Sequence, residues 1–99
     1  MDIKIHSIHF DADQKLLNFI DAKVKKLLQY YEDIISAEVF LRLENVDDKE
    51  NKLVEVRVDI PGSPAFAKKQ CKTFEEATDL SVEALKKQLQ KNKSKIRKK

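Results

Sequence analysis

This 99-residue chain is poor in the residue types that most often carry chemistry: it has one cysteine, one glycine, two histidines and two prolines. A lone Cys71 cannot close an internal disulfide or build a zinc site, so nothing points to an oxidising compartment or a structural metal. The only glycine, Gly62, follows Pro61 in a turn signal, which leaves no glycine-rich loop to cradle a nucleotide phosphate. His6 and His9 stand an odd number of residues apart in what reads as a strand, hence on opposite faces, and do not make a paired metal site. No apolar run approaches the ~20 residues of a membrane span. The first twenty residues carry Asp2, Asp11 and Asp13 and no apolar stretch flanked by basic residues, which argues against a signal peptide. The expectation is a cytoplasmic protein with no cofactor, no membrane association and no small-molecule substrate.

Catalysis finds no foothold either. There is no Ser-His-Asp arrangement, and the seventeen Asp/Glu contain no pair that the pattern singles out. Cys71 lies between Gln70 and Lys72, where neighbouring lysines would lower its pKa, but no base accompanies it. It reads as a small half-buried residue, and the chain is not expected to be an enzyme.

What the chain has in excess is charge, at 37% Asp, Glu, Lys and Arg against about a quarter in an average domain. Its distribution matters more than the net value of +3. Residues 1–65 hold nine Lys/Arg against thirteen Asp/Glu, whereas residues 66–99 hold eleven against four. A polyanion is the natural partner for the second part. The length suits one domain, residues 1–99, with a single modest core.

Met1 to Phe10 alternates, Ile3 and Ile5 on one face, Lys4, His6 and Ile8 on the other, and predicts a strand. Asp11 or Asp13 supplies an N-cap for a helix over about 14–31, with Leu16, Ile20, Val24, Leu27 and Tyr31 on its apolar stripe. Its polar side carries Lys15, Lys23, Lys25 and Lys26. Tyr30 and Tyr31 read as packing residues at the helix end rather than a stacking platform. Residues 35–44 alternate again with Ala37, Val39, Leu41 and Leu43 inward, and Leu53 to Ile60 follows with Val54, Val56, Val58 and Ile60 inward. The polar loop between them, Asn45 to Lys52, suggests an antiparallel pair with one covered face. After Pro61-Gly62 a weakly alternating strand over about 65–72, with Ala67, Lys69 and Cys71 as a poor core face, belongs at a sheet edge.

Residues 73–99 are the most informative stretch. Thr73 and Glu76 form a capping box that starts a helix near Phe74. Phe74, Thr78, Val82, Leu85, Leu89 and Ile96 fall on one stripe, with Ala77 and Ser81 as small neighbours. Glu75, Glu76, Asp79 and Glu83 occupy the first turns, and from Lys86 to Lys99 there are eight cations and no acid. That order suits the helix dipole, although eight cations far exceed what dipole compensation needs. A helix reaching Arg97 would run on the order of 35 Å. The element order β-α-β-β-β-α predicts an α+β fold, a four-stranded sheet with two helices on one face and a polar, exposed opposite face. The first strand is expected to pair in parallel through a right-handed crossover.

Over nearly its whole length the chain resembles the ribosome hibernation-promoting factors, a group that includes the ribosome-associated inhibitor and carries the older label sigma-54 modulation protein. The resemblance rests on MDIKIHSIHFDADQKLLNFIDAKVKKLLQYYEDI, on VEVRVDIPG and on FEEATDLSVEALKKQLQKNKSKIRK, most specifically on AKVKKLLQYYEDI and ALKKQLQKNKSKI. It implies binding to ribosomal RNA of the small subunit near the decoding region, where messenger and transfer RNA are excluded and translation is silenced in resting or stressed cells. It also implies a protein that is monomeric off the ribosome, in the family's short form. Carried over by position, the RNA-facing cations are Lys23 and Lys26 on the first helix and Lys87, Lys91, Lys93 and Lys95 on the last. Lys25 and Lys86 are basic beside positions where Leu17 and Ala84 replace a common basic residue; Ser7 replaces a common glycine and Asn92 a common histidine. Two other readings stand beside this one. They are a generic double-stranded RNA binder and a protein-interaction regulator, for example of a sigma factor, acting through the open sheet face or the acidic loop.

Overall fold

Six elements emerge in the expected order: β1 (Asp2–Ile8), α1 (Gln14–Tyr30), β2 (Ser36–Leu43), β3 (Lys52–Asp59), β4 (Ala65–Cys71) and α2 (Phe74–Arg97). The computed structural model describes residues 2–44, 49–62 and 64–97, and the side chains of all of these except Asp2 and 92–97. Half of the acidic loop, residues 45–48, and the side chain of Ile96 therefore lie outside the described part.

Both helix starts follow from their caps. Asp13, not Asp11, takes the first N-cap, its carboxylate accepting from the Leu16 amide at 2.8 Å. At α2 the Thr73 hydroxyl accepts from the Glu76 amide at 3.1 Å. The two starts are joined by Phe10, which stacks on Phe74 with ring centroids 5.1 Å apart.

The strands lie in the order β1-β2-β3-β4, the first pair parallel and the other two antiparallel. One helix alone cannot cover four strands, and the division is clear: α2 packs across β3 and β4, while α1 lies against β1 and against α2. Between the layers Ile20, Val24 and Leu27 of α1 meet Val39, Leu41, Val54, Val56 and Val58 of the sheet and Leu85 and Leu89 of α2, all fully buried. Each such side chain contributes roughly 1.5–3 kcal/mol by leaving water. Thr78 is buried in the same layer because its hydroxyl donates to the Phe74 carbonyl at 2.7 Å within the helix.

Several local expectations change. Leu43 is 45% exposed rather than inward, since it ends β2 beside Lys52 at the loop end of the hairpin. Leu53 is buried on the otherwise open sheet face, flanked in register by the long side chains of Arg42 and Gln70. Ala65, Ala67 and Cys71 make a better core face on β4 than their alternation suggested, all three buried under α2 while Lys69 stays exposed. Cys71 is thus buried rather than half-buried. Burial pushes its thiol pKa up, Glu76 and Glu50 add to the rise, and Lys69 only partly opposes them, which reverses the lowering expected from nearby lysines. Tyr31 is in the core, as packing requires, and Tyr30 is half exposed.

Candidate nucleic-acid interface

On α1 the buried residues Ile20, Val24 and Leu27 define the inner face, and at 100° per residue Lys23 and Lys26 fall on one flank of it. On α2, with Leu85 and Leu89 inward, Asp79, Glu83, Lys86 and Gln90 share one flank. These two flanks face each other. Lys23 Nζ lies 3.1 Å from Asp79 Oδ1, and Gln90 Nε2 donates to the Tyr30 hydroxyl. The pairing of 23 with 79 and of 30 with 90 means that the helices run side by side in the same direction.

Between them is a groove of about 320 Å³ lined by Lys23, Lys26, Asp79, Val82, Glu83 and Lys86. Lys86 Nζ lies 3.7 Å from Glu83 Oε1, and Lys23 Nζ also sits 5.4 Å from the Phe19 ring centroid. Lys26 makes no ion pair among the described residues. The groove is therefore a wet, partly self-neutralised cationic cleft, three ammonium groups against two carboxylates. Every charged side chain in its two ion pairs is more than a third exposed, so these pairs hold position weakly and are readily exchanged.

The candidate cations divide by helix phase. Lys23, Lys26 and Lys86 meet in the groove. Lys87 and Lys91 are exposed on α2 and lie outside the groove lining. Lys25 is two residues, about 200°, from Lys23; it pairs with Asp21 at 3.0 Å on the other flank of α1 and does not reach the groove. Lys93 and Lys95 lie in α2, and their side chains are outside the described residues.

Sequence reasoning took Asp79 and Glu83 as anions suited to the start of a helix and did not place them among the lysines. Their phase relative to Leu85 was the available signal. It also missed Gln88, whose Nε2 donates to the Phe66 carbonyl of β4 at 2.9 Å, so that α2 is tied to β4 by Gln88 and to α1 by Gln90 just before its last turns.

On the open side of the sheet His6 stacks on Phe40, centroids 4.9 Å apart, and its Nε2 lies 3.0 Å from Glu38. Register places Lys4, Glu38 and Arg57 in one row and His6, Phe40, Glu55 and Lys68 in the next. Signs alternate there, and no sizeable field of one charge develops. Among the described residues no group of three His, Cys, Asp or Glu side chains is placed to hold a metal ion, and no helix is long and apolar enough to cross a membrane.

A mixed four-stranded sheet carrying two co-directional helices, with a lysine-lined cleft between them, defines the class of domain. The same fold appears in a ribosomal subunit interface protein from Coxiella burnetii, at a TM-score of 0.79 and 22% identity over 95% of this chain and 99% of that one. It appears again in the N-terminal domain of Protein Y from Thermus thermophilus, at 0.76 and 22% over 92% and 98%. The chain belongs to the family described as Sigma 54 modulation protein / S30EA ribosomal protein, whose model matches residues 3–97. It is 26% identical over all 99 residues to the ribosome hibernation promotion factor of Bacillus subtilis strain 168, and spans 52% of that protein. It is 25% identical over 95 residues to the ribosome hibernation promoting factor of Pseudomonas putida KT2440, covering 96% of this chain and 89% of that one.

Proposed function

We propose that residues 1–99 act as one ribosome-binding domain that seats on the small subunit near the decoding region and holds the ribosome inactive in the cytoplasm of resting or stressed cells. The observation that carries this reading is the convergence of Lys23, Lys26 and Lys86, from two helices, on a single groove, with Lys87 and Lys91 exposed on the same α2 end. Lysine ammonium groups act as point charges toward phosphate and need no particular base. An RNA surface of fitting shape then supplies the specificity, and the bound domain would occupy the space of messenger and transfer RNA. The names of the Bacillus and Pseudomonas relatives point the same way. In this reading the domain is a binding regulator, monomeric off the ribosome, with no cofactor or catalytic step.

The test is co-sedimentation of the purified protein with small ribosomal subunits at low and high salt, followed by translation in vitro. Salt-sensitive comigration and inhibition are expected. Simultaneous charge reversal at Lys87, Lys91 and Lys93 should abolish comigration while leaving the thermal melt close to wild type, because exposed substitutions usually cost within ~0.5 kcal/mol. Equal affinity for isolated RNA duplexes would favour a generic duplex binder. A salt-independent complex that survives the charge reversals would favour a protein-interaction regulator.

A further inference from the structure

The groove contains an apparent contradiction. A surface meant for polyphosphate has placed two carboxylates among its three lysines, and one of them, Asp79, reaches across from the opposite helix to contact Lys23 at 3.1 Å. Glu83 holds Lys86 more loosely at 3.7 Å, three residues along the same helix. Neither pair is buried enough to be needed for the fold, since the side chains of Lys23 and Asp79 are 37% and 50% exposed and those of Lys86 and Glu83 are 40% and 64%. The helices are already held by the core and by the Gln90–Tyr30 bond.

We propose that Asp79 and Glu83 are built-in competitors of the RNA phosphate, which must be displaced from Lys23 and Lys86 for the groove to be occupied. This rests on the ribosome-binding reading and adds to it a means of setting affinity. In the free domain Lys26, unpaired among the described residues, offers the first contact. A phosphate drawn to Lys26 then exchanges with the carboxylates for the remaining two ammonium groups. The ions released on binding are cations condensed on the RNA, and a displaced carboxylate left beside the phosphate retains some of them, so a contact made in competition with Asp79 or Glu83 releases fewer and contributes less to the salt slope. The carboxylates also repel the phosphate directly. Both effects lower affinity without removing a single lysine, and keep a domain that ends in a dense run of cations from adhering to every exposed RNA.

The experiment compares wild type, Asp79→Asn, Glu83→Gln and Glu55→Gln. Glu55 lies on β3, outside the groove, so its variant removes one negative charge without freeing a groove lysine. Affinities for small ribosomal subunits and for a 20-base-pair RNA duplex are measured across a salt series. Asp79→Asn should tighten binding about threefold, as expected for release of one exposed pair, and steepen the log–log salt slope by up to about 0.9. Glu83→Gln should do the same to a smaller degree, and Glu55→Gln should leave the slope unchanged. Weaker binding by Asp79→Asn would mean that Asp79 positions Lys23 for the phosphate, and would overturn the proposal. An equal gain from all three variants would reduce it to net charge and overturn it as well. If wild type binds the duplex but not the subunits, the ribosome reading fails while the groove variants still decide the present point on the duplex. If it binds neither, both fail.

Discussion

The two helices look alike in outline and differ in what they do with their polar sides. Both place an apolar stripe on the same sheet, and both carry lysines. Along α1 the lysines are spread around the helix, so Lys23 and Lys26 reach the groove while Lys25 pairs with Asp21 away from it. Along α2 charge is segregated by position in the chain, acids in the first turns and cations from Lys86 onward, with Leu89 as the last buried contact among the described side chains. In α1 the groove lysines and the core residues share the same turns. In α2 the cations and the core residues overlap only between Lys86 and Leu89 among the described side chains. Counting cations on a helix therefore says little about an interface until phase and position are both known.

The core is where the two helices are most sensitive to substitution. Leu27→Ala on α1 and Leu85→Ala on α2 remove fully buried side chains from the same cluster, and each should cost about 2–5 kcal/mol in a chemical denaturation series. If one cost far less, the helices would not be equal partners in the core. A second test separates phase from charge. Reversal of Lys23, Lys26 or Lys86 to Glu should each weaken binding to small subunits on the order of tenfold, since a favourable contact becomes a repulsive one in a wet site. Lys25→Glu should change it by less than about threefold at the same formal charge. A comparable loss from Lys25→Glu would restore the view that only the total matters.

The smallest expected effect concerns β4 beneath α2. The raised pKa of Cys71, from burial first and then from Glu76 and Glu50, means that the folded state favours the thiol over the thiolate. The stabilisation is fully present below the unfolded-state pKa and is lost as pH rises through the folded-state pKa. Stability should accordingly be flat in this respect up to about pH 8.5 and decline above it. A Cys71→Ala variant should lack that alkaline decline, and an identical alkaline limb in both proteins would remove Cys71 as its source.

Much of this architecture was legible from residue order. Period-two alternation located the strands, the Thr73 and Asp13 caps located the helix starts, and the apolar spacing selected the face of each helix that is buried. Errors came where the outcome depends on partners distant in sequence. Leu43 obeys the alternation and is exposed all the same, because the strand ends there, and Leu53 breaks it and is buried between neighbouring strands. Cys71 could not be read from Lys72 beside it, since the burial that chiefly raises its pKa comes from packing under α2, with Glu76 and Glu50 adding to it. The groove needed the rotation of one helix relative to the other, a quantity that neither helix encodes alone. Its cations were found, and its anions were not.

The parallel pairing of β1 with β2 carries a consequence for the order of assembly. Between Ile8 and Ser36 lie 27 residues, against eight between Leu43 and Lys52 and five between Asp59 and Ala65. Closing the longest of these gaps costs about 1.5 kcal/mol more chain entropy than closing the shortest. The β2–β3–β4 meander can therefore form early from local contacts, with β1 joining once α1 has shortened the path. The strand that begins the chain is the one expected to dock last and, at the sheet's edge, to open first.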